Sequence, residues 1–323
     1  MPEPPYGIIA NQLKQGTVIP FLGAGASLCG RAPGVQWDAR AATVLPTGGE
    51  LARQLAQDSG FPSQDPYDCG DLAKVASYYI DESADRPALR EFMRQTFDRD
   101  YCLGAIHRFL AELDAPLLIV TTNYDDLIER AFRAKGKPYH VVAYPTDNQE
   151  YAASVLWWKP GATEPEAHPP KSLPLSLTDT TIIYKMHGTV DRQSQRWDSF
   201  VITEEDYVDF LARMTGQTAI PARFMLEFRR RRFLFIGYGL RDWNLRVMLR
   251  NLKMSLPALE AGAASGDATG SAPSEELRSW AVQLRPSELE QALWRARKVS
   301  IYDIDIDTFV AKLREKMGLS APT

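Results

Sequence analysis

Short apolar runs recur along the chain and predict buried strands. They span about 17–22, 117–121, 139–144, 182–186, 233–236 and 298–303. Unbroken apolar runs are typical of parallel strands whose two faces are both covered. We therefore expect a mostly parallel sheet in the interior of the protein.

The spacing of apolar residues between these runs predicts helices. A block of four helices is predicted between the first two strands, and Pro87 suits the first turn of one of them. The predicted helices are Gly49–Asp58, Asp71–Asp81, Pro87–Phe97, Gly104–Leu113, Leu127–Ala134, Glu204–Met214, Pro221–Arg230, Asp242–Met254, 275–296 and 306–317. Alternating strands and helices predict an α/β fold, here a Rossmann-like, doubly wound, mostly parallel sheet with a helical insertion at about 49–113.

Three segments have a composition that predicts loops. Residues 28–47 are rich in Gly, Pro and Ala, Trp157–Asp179 is rich in Pro, and 256–274 is rich in Ala, Gly and Ser. We expect a loop over the site, an excursion or flap, and a flexible linker, respectively. The main domain is then expected over 1–255, with a C-terminal helix–strand–helix over 275–323 that packs on it.

The charge balance argues against bulk attraction to nucleic acid or to an anionic membrane. Among 323 residues, 37 are Lys or Arg and 41 are Asp or Glu. The basic run Arg229–Arg232 precedes an apolar strand, so it is expected to end a helix, where cations suit the helix dipole. A phosphate or nucleic-acid contact at this run is the alternative. No direct nucleic-acid binding and no membrane association are expected.

Cysteine usage argues against a zinc module and against a disulfide framework. The three cysteines, Cys29, Cys69 and Cys102, are widely spaced and form no Cys-x-x-Cys pair. The N-terminus lacks a basic segment followed by an apolar stretch, and no apolar run reaches membrane-spanning length. These features predict a soluble cytoplasmic protein.

The first strand runs directly into a glycine-rich turn, Gly23-Ala24-Gly25-Ala26-Ser27. Glycine allows a tight turn and a close backbone approach to a ligand. If a helix follows, its free N–H groups and positive dipole end suit a pyrophosphate. A dinucleotide site is therefore the first hypothesis, and a glycine turn needed only for steric reasons is the alternative.

Four predicted strands stop at polar or glycine-bearing segments. These segments are Gly23–Ser27, Thr121–Asp125, His187-Gly188 and Gly237–Asp242. In open parallel sheets, ligands bind beyond the carboxyl ends of the strands. We therefore expect the four segments to converge on one edge of the sheet and to form one site.

Taken in order, the four segments resemble the sirtuin family over most of residues 15–255. The glycine turn is similar to the family's pyrophosphate loop, and Gly237-Tyr238-Gly239 lies where a Gly-Thr-Ser turn holds the adenosine end. Thr121-Thr122-Asn123-Tyr124-Asp125 looks like Thr-Gln-Asn-x-Asp, with threonine in place of glutamine. His187-Gly188 matches the catalytic His-Gly. The resemblance implies an NAD+ site.

The sequence differs from protein-deacylating sirtuins in one feature, which indicates the branch of the family that it resembles. Protein-deacylating sirtuins carry a zinc ribbon of two Cys-x-x-Cys pairs, whereas this chain has no cysteine after Cys102. The sequences around Asn123 and Gly239 are more similar to those of the sirtuin-like domains of bacterial antiphage defence proteins. Members of that branch hydrolyse NAD+ to nicotinamide and ADP-ribose. The resemblance therefore implies NAD+ as substrate, no zinc, and NAD+ depletion during abortive infection. A domain that binds NAD+ or ADP-ribose without cleaving it is the alternative, and a deacylase is disfavoured.

The resemblance also implies roles for individual residues. Asn123 would orient the attacking water and the ribose hydroxyls, and His187 would act as general base, because imidazole titrates near neutral pH. Asp125 would contact the nicotinamide carboxamide, or cap the following helix. Asn123 as a turn former and His187 as a structural side chain are the alternatives. Further expected NAD+ contacts are Gly23, Ala24, Gly25, Ala26, Ser27, Thr122, Tyr124, Gly188, Gly237, Tyr238, Gly239 and Asp242; Asp242 is alternatively a helix cap.

A defence enzyme that destroys NAD+ is toxic when it is always active. The chain ends soon after the predicted core and shows no obvious second sensor domain. We therefore expect activity to depend on homo-oligomerisation or on a separately encoded partner, such as an ATPase or an Argonaute-like subunit.

Overall fold

The computed structural model describes residues 3–28, 31–32, 34–41, 43–83, 85–146, 149–216, 218–239 and 279–320. Its central feature is a nine-stranded sheet in the order β11-β10-β9-β1-β2-β6-β3-β4-β5, with a small β7-β8 hairpin beside it. The strands are β1 Val18–Leu22, β2 Leu118–Thr121, β3 Tyr139–Ala143, β4 Val155–Trp158, β5 Glu166–His168, β6 Thr181–Lys185, β7 Gly188–Thr189, β8 Ser199–Phe200, β9 Arg232–Ile236, β10 Ser279–Gln283 and β11 Val299–Asp303.

Helices cover the sheet and fill the connection between β1 and β2. In the described residues they are α1 Tyr6–Lys14, α2 Ala24–Ser27, α3 Gly48–Asp58, α4 Pro66–Gly70, α5 Leu72–Ser83, α6 Arg86–Phe97, α7 Ala105–Glu112, α8 Leu127–Ala134, α9 Glu204–Thr215, α10 Ala222–Arg230, α11 Glu288–Arg295 and α12 Ile306–Met317. Helices α3 to α7 occupy the position of the predicted helical insertion.

The strands that carry the candidate site lie next to one another and run parallel. Phe21 of β1 is in register with Val120 of β2 on one side and with Phe235 of β9 on the other. Strand β6 pairs in parallel with β2. The carboxyl ends of β9, β1, β2 and β6 therefore meet at one edge of the sheet, which confirms the predicted α/β, mostly parallel architecture.

Both faces of the sheet are buried, which explains the unbroken apolar runs. Successive side chains of a strand point to opposite faces. Phe21 and Phe235 belong to one hydrophobic core, whereas Leu22 and Ile236 belong to the other. A third core holds the helical insertion together and includes Tyr124, which follows β2. The insertion is thereby attached to the loop that carries the candidate site.

The prediction of one helix at 275–296 is wrong in its described part. Ser279–Gln283 forms strand β10, which pairs in parallel with both β9 and β11. The helix begins only at Glu288, after Ser287, whose side chain accepts a hydrogen bond from the Glu290 backbone in a capping box. The C-terminal part is therefore strand–helix–strand–helix and extends the central sheet, rather than a helix–strand–helix packed on it.

The excursion predicted at Trp157–Asp179 contains more regular structure than expected. Strands β4 and β5 extend the sheet in antiparallel fashion at this end. The Trp157 indole donates to His140 Nδ1 at 3.0 Å and is buried in the core. Helix α1 also went unpredicted, although Tyr6, Ile9 and Leu13 have helical spacing and are buried.

The remaining predicted strands and helices are confirmed within one or two residues at their ends. Helix α10 ends at Arg230, and Arg231 donates to the Gly16 carbonyl at 2.5 Å, so this part of the basic run ends a helix as expected. The predicted helix Asp242–Met254 and the linker 256–274 lie outside the described residues.

Candidate active site

Two glycine-bearing turns pack against each other at the carboxyl ends of β1 and β9. The Gly23 N–H donates to the Ile236 carbonyl at 3.0 Å, and the Gly25 N–H donates to the Gly237 carbonyl at 2.7 Å. The Ala26 N–H donates to the Gly23 carbonyl at 2.9 Å. The amide groups of Gly25 and Ala26 are therefore already used within the protein, whereas no acceptor for the Ala24 N–H is found among the described residues.

The glycines are required by this contact between the two turns. A Cβ on Gly23 would lie 2.7 Å from the Cα of Tyr238, and a Cβ on Gly237 would lie 2.1 Å from the Ala26 nitrogen. Gly237 also has a φ of 63°, which side-chain-bearing residues rarely adopt. The steric alternative considered for the glycine turn thus describes at least part of its role.

Asn123 is held by hydrogen bonds that fix the orientation of its amide. Its Nδ2 donates to the Gly23 carbonyl at 3.0 Å and to Ser27 Oγ at 2.9 Å. A carbonyl oxygen can only accept, so the nitrogen must be the atom that faces Gly23. Both amide protons are then used, and Oδ1 is left as an acceptor.

Asp125 accepts two hydrogen bonds within the protein, one of which fits the helix-capping role considered for it. Its Oδ1 accepts from the Leu127 N–H at 3.1 Å at the start of α8, as a helix-capping carboxylate does. Its Oδ2 accepts from Ser27 Oγ at 2.7 Å. Asn123, Ser27 and Asp125 therefore form one continuous hydrogen-bonded chain between the glycine turn and the loop after β2.

A buried lysine supports this loop from below. Lys185, the last residue of β6, is fully buried, and its Nζ donates to the Asp125 carbonyl at 2.5 Å. The same Nζ forms an ion pair with Glu129 Oε1 at 2.9 Å. Burial raises the pKa of Glu129, whereas the nearby Lys185 ammonium opposes that rise. Sequence reasoning missed both residues, because a charged residue in a buried strand and one in a helix carry no local sign of their contact.

His187 is the second residue after strand β6, and its imidazole is buried. The ring meets Tyr207 and Phe210 edge-on, with centroids 5.4 and 5.6 Å away. Burial lowers the pKa of His187 to about 3, so the ring is neutral at physiological pH. The expectation of an imidazole that titrates near neutral pH is wrong, because burial disfavours the charged ring and the neighbouring Tyr207 and Phe210 rings carry no charge that would offset this effect.

Asn123 and His187 line the same cavity, which has a volume of about 350 Å³. Most of the predicted contact residues also line it: Ala24, Gly25, Ser27, Thr122, Tyr124, Asp125, Gly237, Tyr238 and Gly239. Gly23, Ala26 and Gly188 do not, and Asp242 lies outside the described residues. Small-molecule sites commonly occupy a few hundred cubic ångströms, so the cavity suits part or all of such a ligand.

Two of the predicted contact residues have a clear structural function as well. The Tyr124 hydroxyl donates to the Val201 carbonyl at 2.7 Å and is buried within the helical insertion. Gly188 has a φ of 88°, and a Cβ there would lie 2.1 Å from the Ser199 carbonyl oxygen. Gly188 therefore permits the β7-β8 hairpin that follows His187.

The cavity also has walls that motif reasoning did not identify. The end of the predicted cover loop contributes Leu45 and Thr47, and α9 contributes Tyr207. The loop is held in place by Glu50, which forms an ion pair with Arg31 at 2.5 Å and accepts from the Thr47 N–H at 2.8 Å. The Arg31 guanidinium is the main cause of the strongly lowered pKa of Glu50.

Within the described ranges, no group of three or more His, Cys, Asp or Glu side chains is arranged to hold a metal ion. A search of the same residues for a helix with the length and apolarity of a membrane span finds none.

Comparisons with known proteins identify a family and several relatives. The family described as SIR2-like domain matches residues 117–302. The NAD(+) hydrolase ThsA of Enterococcus faecium is 26% identical over 248 residues, which are 76% of this chain and 42% of that protein. The NAD(+) hydrolase ThsA of Bacillus cereus (strain MSX-D12) is 24% identical over 269 residues, 81% of this chain and 46% of that protein.

A third relative has a different name. Defense-associated sirtuin 2 of Bacillus subtilis is 22% identical over 247 residues, 75% of this chain and 20% of that protein. The chain thus spans less than half the length of each of these relatives. The family match covers more than half of the chain and confirms the predicted resemblance. The protein belongs to the family with a SIR2-like domain.

Proposed function

We propose that the protein hydrolyses NAD+ to nicotinamide and ADP-ribose, and that it acts as an NAD+-depleting effector of antiphage defence. The observation that carries the proposal is the shared cavity in which Asn123 and His187 lie beside the glycine turn. The relatives named NAD(+) hydrolase and Defense-associated sirtuin support the same reaction and context.

The reaction breaks the bond between the nicotinamide nitrogen and C1′ of the ribose. The bonding electron pair leaves with nicotinamide, whose ring becomes neutral, and C1′ develops positive charge as in other glycosyl transfers. Water then forms the new bond to C1′ and releases one proton to the solvent. The protein must therefore hold the dinucleotide, place a water molecule and tolerate positive charge at the ribose.

Asn123 is suited to place the water. Its two amide protons are used by the Gly23 carbonyl and by Ser27 Oγ, so the amide cannot turn without losing both bonds. The remaining acceptor, Oδ1, is then the atom that can take a hydrogen bond from a water molecule. A fixed acceptor needs no reorganisation during the reaction, which is the origin of most electrostatic catalysis.

His187 is suited to accept a hydrogen bond rather than to hold a proton in the resting protein. Burial lowers its pKa to about 3, so the neutral ring always offers one nitrogen lone pair. We assign it the orientation of a ribose hydroxyl. Transfer of a proton to His187 would require the bound dinucleotide to raise its basicity, which the phosphate charges favour.

Asp125 is the only Asp, Glu, Lys or Arg among the described residues that line the cavity. A single carboxylate favours the cationic nicotinamide ring of NAD+ and the positive charge that develops on the ribose. The Ala24 N–H, at the first turn of α2, is the backbone donor that remains for a phosphate oxygen.

Nicotinamide release from NAD+ tests the proposal directly. Asn123→Ala should reduce kcat by about 100-fold or more, as the removal of a preorganised polar group does elsewhere. Asn11→Ala changes the same residue type at an exposed position of α1 and should leave turnover unchanged. Turnover that survives Asn123→Ala and His187→Ala together would contradict the site assignment.

A domain that binds NAD+ without cleaving it is the second candidate, and the weakly basic His187 is the observation that favours it. Calorimetry followed by chromatography of the bound nucleotide separates the two functions. Intact NAD+ recovered under all conditions would favour the binding function. Because oligomerisation or a partner subunit is the expected trigger, a native mass measurement should accompany the assay.

A further inference from the structure

Seven basic side chains lie in two short segments that contain no acidic residue. Arg229 to Arg232 close α10 and open β9, whereas Arg295 ends α11, and Arg297 and Lys298 lead into β11. We call these two segments the basic edge. The near-neutral charge of the whole chain argued against bulk attraction to nucleic acid, but it does not exclude a local excess of this size.

The two segments lie close together in the fold. The Phe233 N–H donates to Ser279 Oγ at 3.1 Å, and the Ser279 N–H donates to the Lys298 carbonyl at 2.9 Å, so β10 alone separates them. Neighbouring strands are about 4.8 Å apart, which places the two segments about 10 Å from each other. Phe228 of α10 and Trp294 of α11 belong to the same hydrophobic core, so both helices cover the same face of the sheet and end at this edge.

The basic edge and the candidate active site lie at opposite ends of the parallel strands. The basic edge is at the amino ends of β9 and β11, whereas the glycine turns of the site follow the carboxyl ends of β1 and β9. Strand β9 has five residues, so the two ends are roughly 16 Å apart. A partner bound at the basic edge therefore leaves the cavity open.

Stabilisation of helix ends explains only part of this charge. A cation in the last turn of a helix interacts favourably with the helix dipole, which accounts for Arg229, Arg230 and Arg295. The effect falls off beyond the last turn, whereas Arg232 and Arg297 lie outside both helices. The remaining excess of like charge costs repulsion energy unless an anionic partner compensates it.

Three of these arginines are available for such a partner. Arg230 and Arg295 are exposed, and neither they nor Arg232 forms an ion pair with a carboxylate among the described residues. The Arg232 guanidinium lies over the buried Trp280 ring, 5.4 Å from its centroid. A guanidinium over an aromatic ring uses its flat face and keeps its terminal N–H groups for hydrogen bonds in its own plane.

The composition of the basic edge favours the phosphates of duplex DNA. Six of the seven cations are Arg, whose planar guanidinium can give two parallel hydrogen bonds to a phosphate. Single-stranded nucleic acid is held by exposed aromatic rings, and a membrane by inserted apolar side chains, but the two segments contain only Arg, Lys and Ala. Duplex DNA needs neither, since it presents about one negative charge per 1.7 Å of helix axis.

We propose that the basic edge binds the phosphate backbone of duplex DNA without sequence specificity. Arg230, Arg232 and Arg295 make the phosphate contacts. The surface is separate from the proposed NAD+ site and does not depend on NAD+ hydrolysis.

Fluorescence anisotropy of the full chain with a labelled DNA duplex of arbitrary sequence tests this proposal. The logarithm of the affinity should fall linearly with the logarithm of the salt concentration, with a slope of about −3 or steeper for three phosphate contacts. Arg230→Gln and Arg295→Gln should each weaken binding by about tenfold at about 50 mM salt and make the slope shallower by about 1. A duplex of unrelated sequence should bind equally well.

Arg53→Gln is the matched control, because Arg53 is also an exposed arginine but lies on α3 in the helical insertion. It should leave the affinity and the salt slope unchanged. A single strand of the same length and vesicles that contain anionic lipid should bind more weakly than the duplex at equal phosphate concentration.

Four results would overturn the proposal. They are the absence of duplex binding at low salt, equal or tighter binding of the single strand or of the vesicles, an unchanged salt slope in both Arg230→Gln and Arg295→Gln, and an equal loss of affinity in Arg53→Gln. Both replaced side chains at the basic edge are exposed, so thermal unfolding of these variants should match that of the unaltered chain.

Discussion

The buried imidazole of His187 makes the stability of the protein depend on pH in a way that one substitution can isolate. Burial lowers the pKa of His187 from 6.5 to about 3 in the folded state. The unfolded chain therefore binds a proton below pH 6.5 that the folded chain does not bind. The sign follows directly: the contribution is fully present above 6.5 and is lost as the pH falls from 6.5 towards the folded pKa of about 3.

The magnitude follows from the size of the pKa difference. Each pH unit within this window costs about 1.4 kcal/mol, so a fall to about pH 5 costs roughly 2 kcal/mol of unfolding free energy. Burial also lowers the pKa of His107, to about 4, which adds a loss of the same sign. A comparison between two proteins that both retain His107 cancels that second contribution.

Urea unfolding at about pH 7.5 and pH 5 measures the effect, with stability taken from the linear extrapolation. His187→Phe keeps an aromatic ring beside Tyr207 and Phe210 but cannot be protonated. We expect the unaltered protein to lose about 2 kcal/mol more than His187→Phe over this range.

Phe210→Leu is the control for packing at the same place. It should lower stability at both pH values and keep the pH dependence of the unaltered protein, because it retains the imidazole. An equal loss of stability in His187→Phe and in the unaltered chain would refute the reasoning, since it would mean that His187 is protonated in the folded state.

Three further substitutions test the framework of the active site. Gly237→Ala should lower Tm and abolish NAD+ binding in calorimetry, because its Cβ would overlap the glycine turn. Gly34→Ala is the control, because Gly34 has a similar φ but a Cβ there would meet open space. It should lower the free energy of unfolding by only about 1 kcal/mol. Lys185→Met should destabilise the fold by about 3–5 kcal/mol in urea unfolding, because it leaves buried Glu129 without its partner. The double variant with Glu129→Leu should recover folding but not nicotinamide release. Glu50→Gln, which weakens the attachment of the cover loop, should raise KM for NAD+ more than it lowers kcat.

The position of the polar residues that follow the central strands was the most predictable feature of the molecule. The apolar runs at β1, β2, β6 and β9 predict a sheet buried on both faces, and the parallel register then brings their polar ends together. Asn123 and His187 are brought to one cavity by this rule alone, whatever family the chain belongs to.

Strand β10 shows where local pattern fails. Residues around Trp280 include good helix formers, so propensity favours a helix, but pairing with β9 and β11 gives the segment its structure. Propensity is a weak prior that tertiary contacts override. Pro286 followed by Ser287 and Glu290 is the signature of a helix start, and it was the available sign that the helix begins later.

The electrostatic state of the site could not be read from the motifs. The sequence shows a histidine after a strand but not whether solvent or the Tyr207 and Phe210 rings surround it. The pKa of the imidazole depends on those surroundings. The ion pair of Lys185 and Glu129 joins residues 56 positions apart and has no sequence motif. Burial and long-range pairing are properties of the packed chain.

The glycine turn lies at the expected edge of the sheet, but the physical reason expected for its glycines was incomplete. From the sequence, Gly23 and Gly25 were expected to allow a ligand to approach the backbone closely. In the structure they allow close packing against Gly237 and Tyr238. Both reasons require a residue without Cβ, so the motif alone does not separate them. The packing nevertheless serves the site, because it joins the ends of β1 and β9 into one rigid wall and positions Ser27 to accept from Asn123. The fixed amide of Asn123, on which the proposed catalysis depends, is therefore a consequence of the glycines even where they do not touch a ligand.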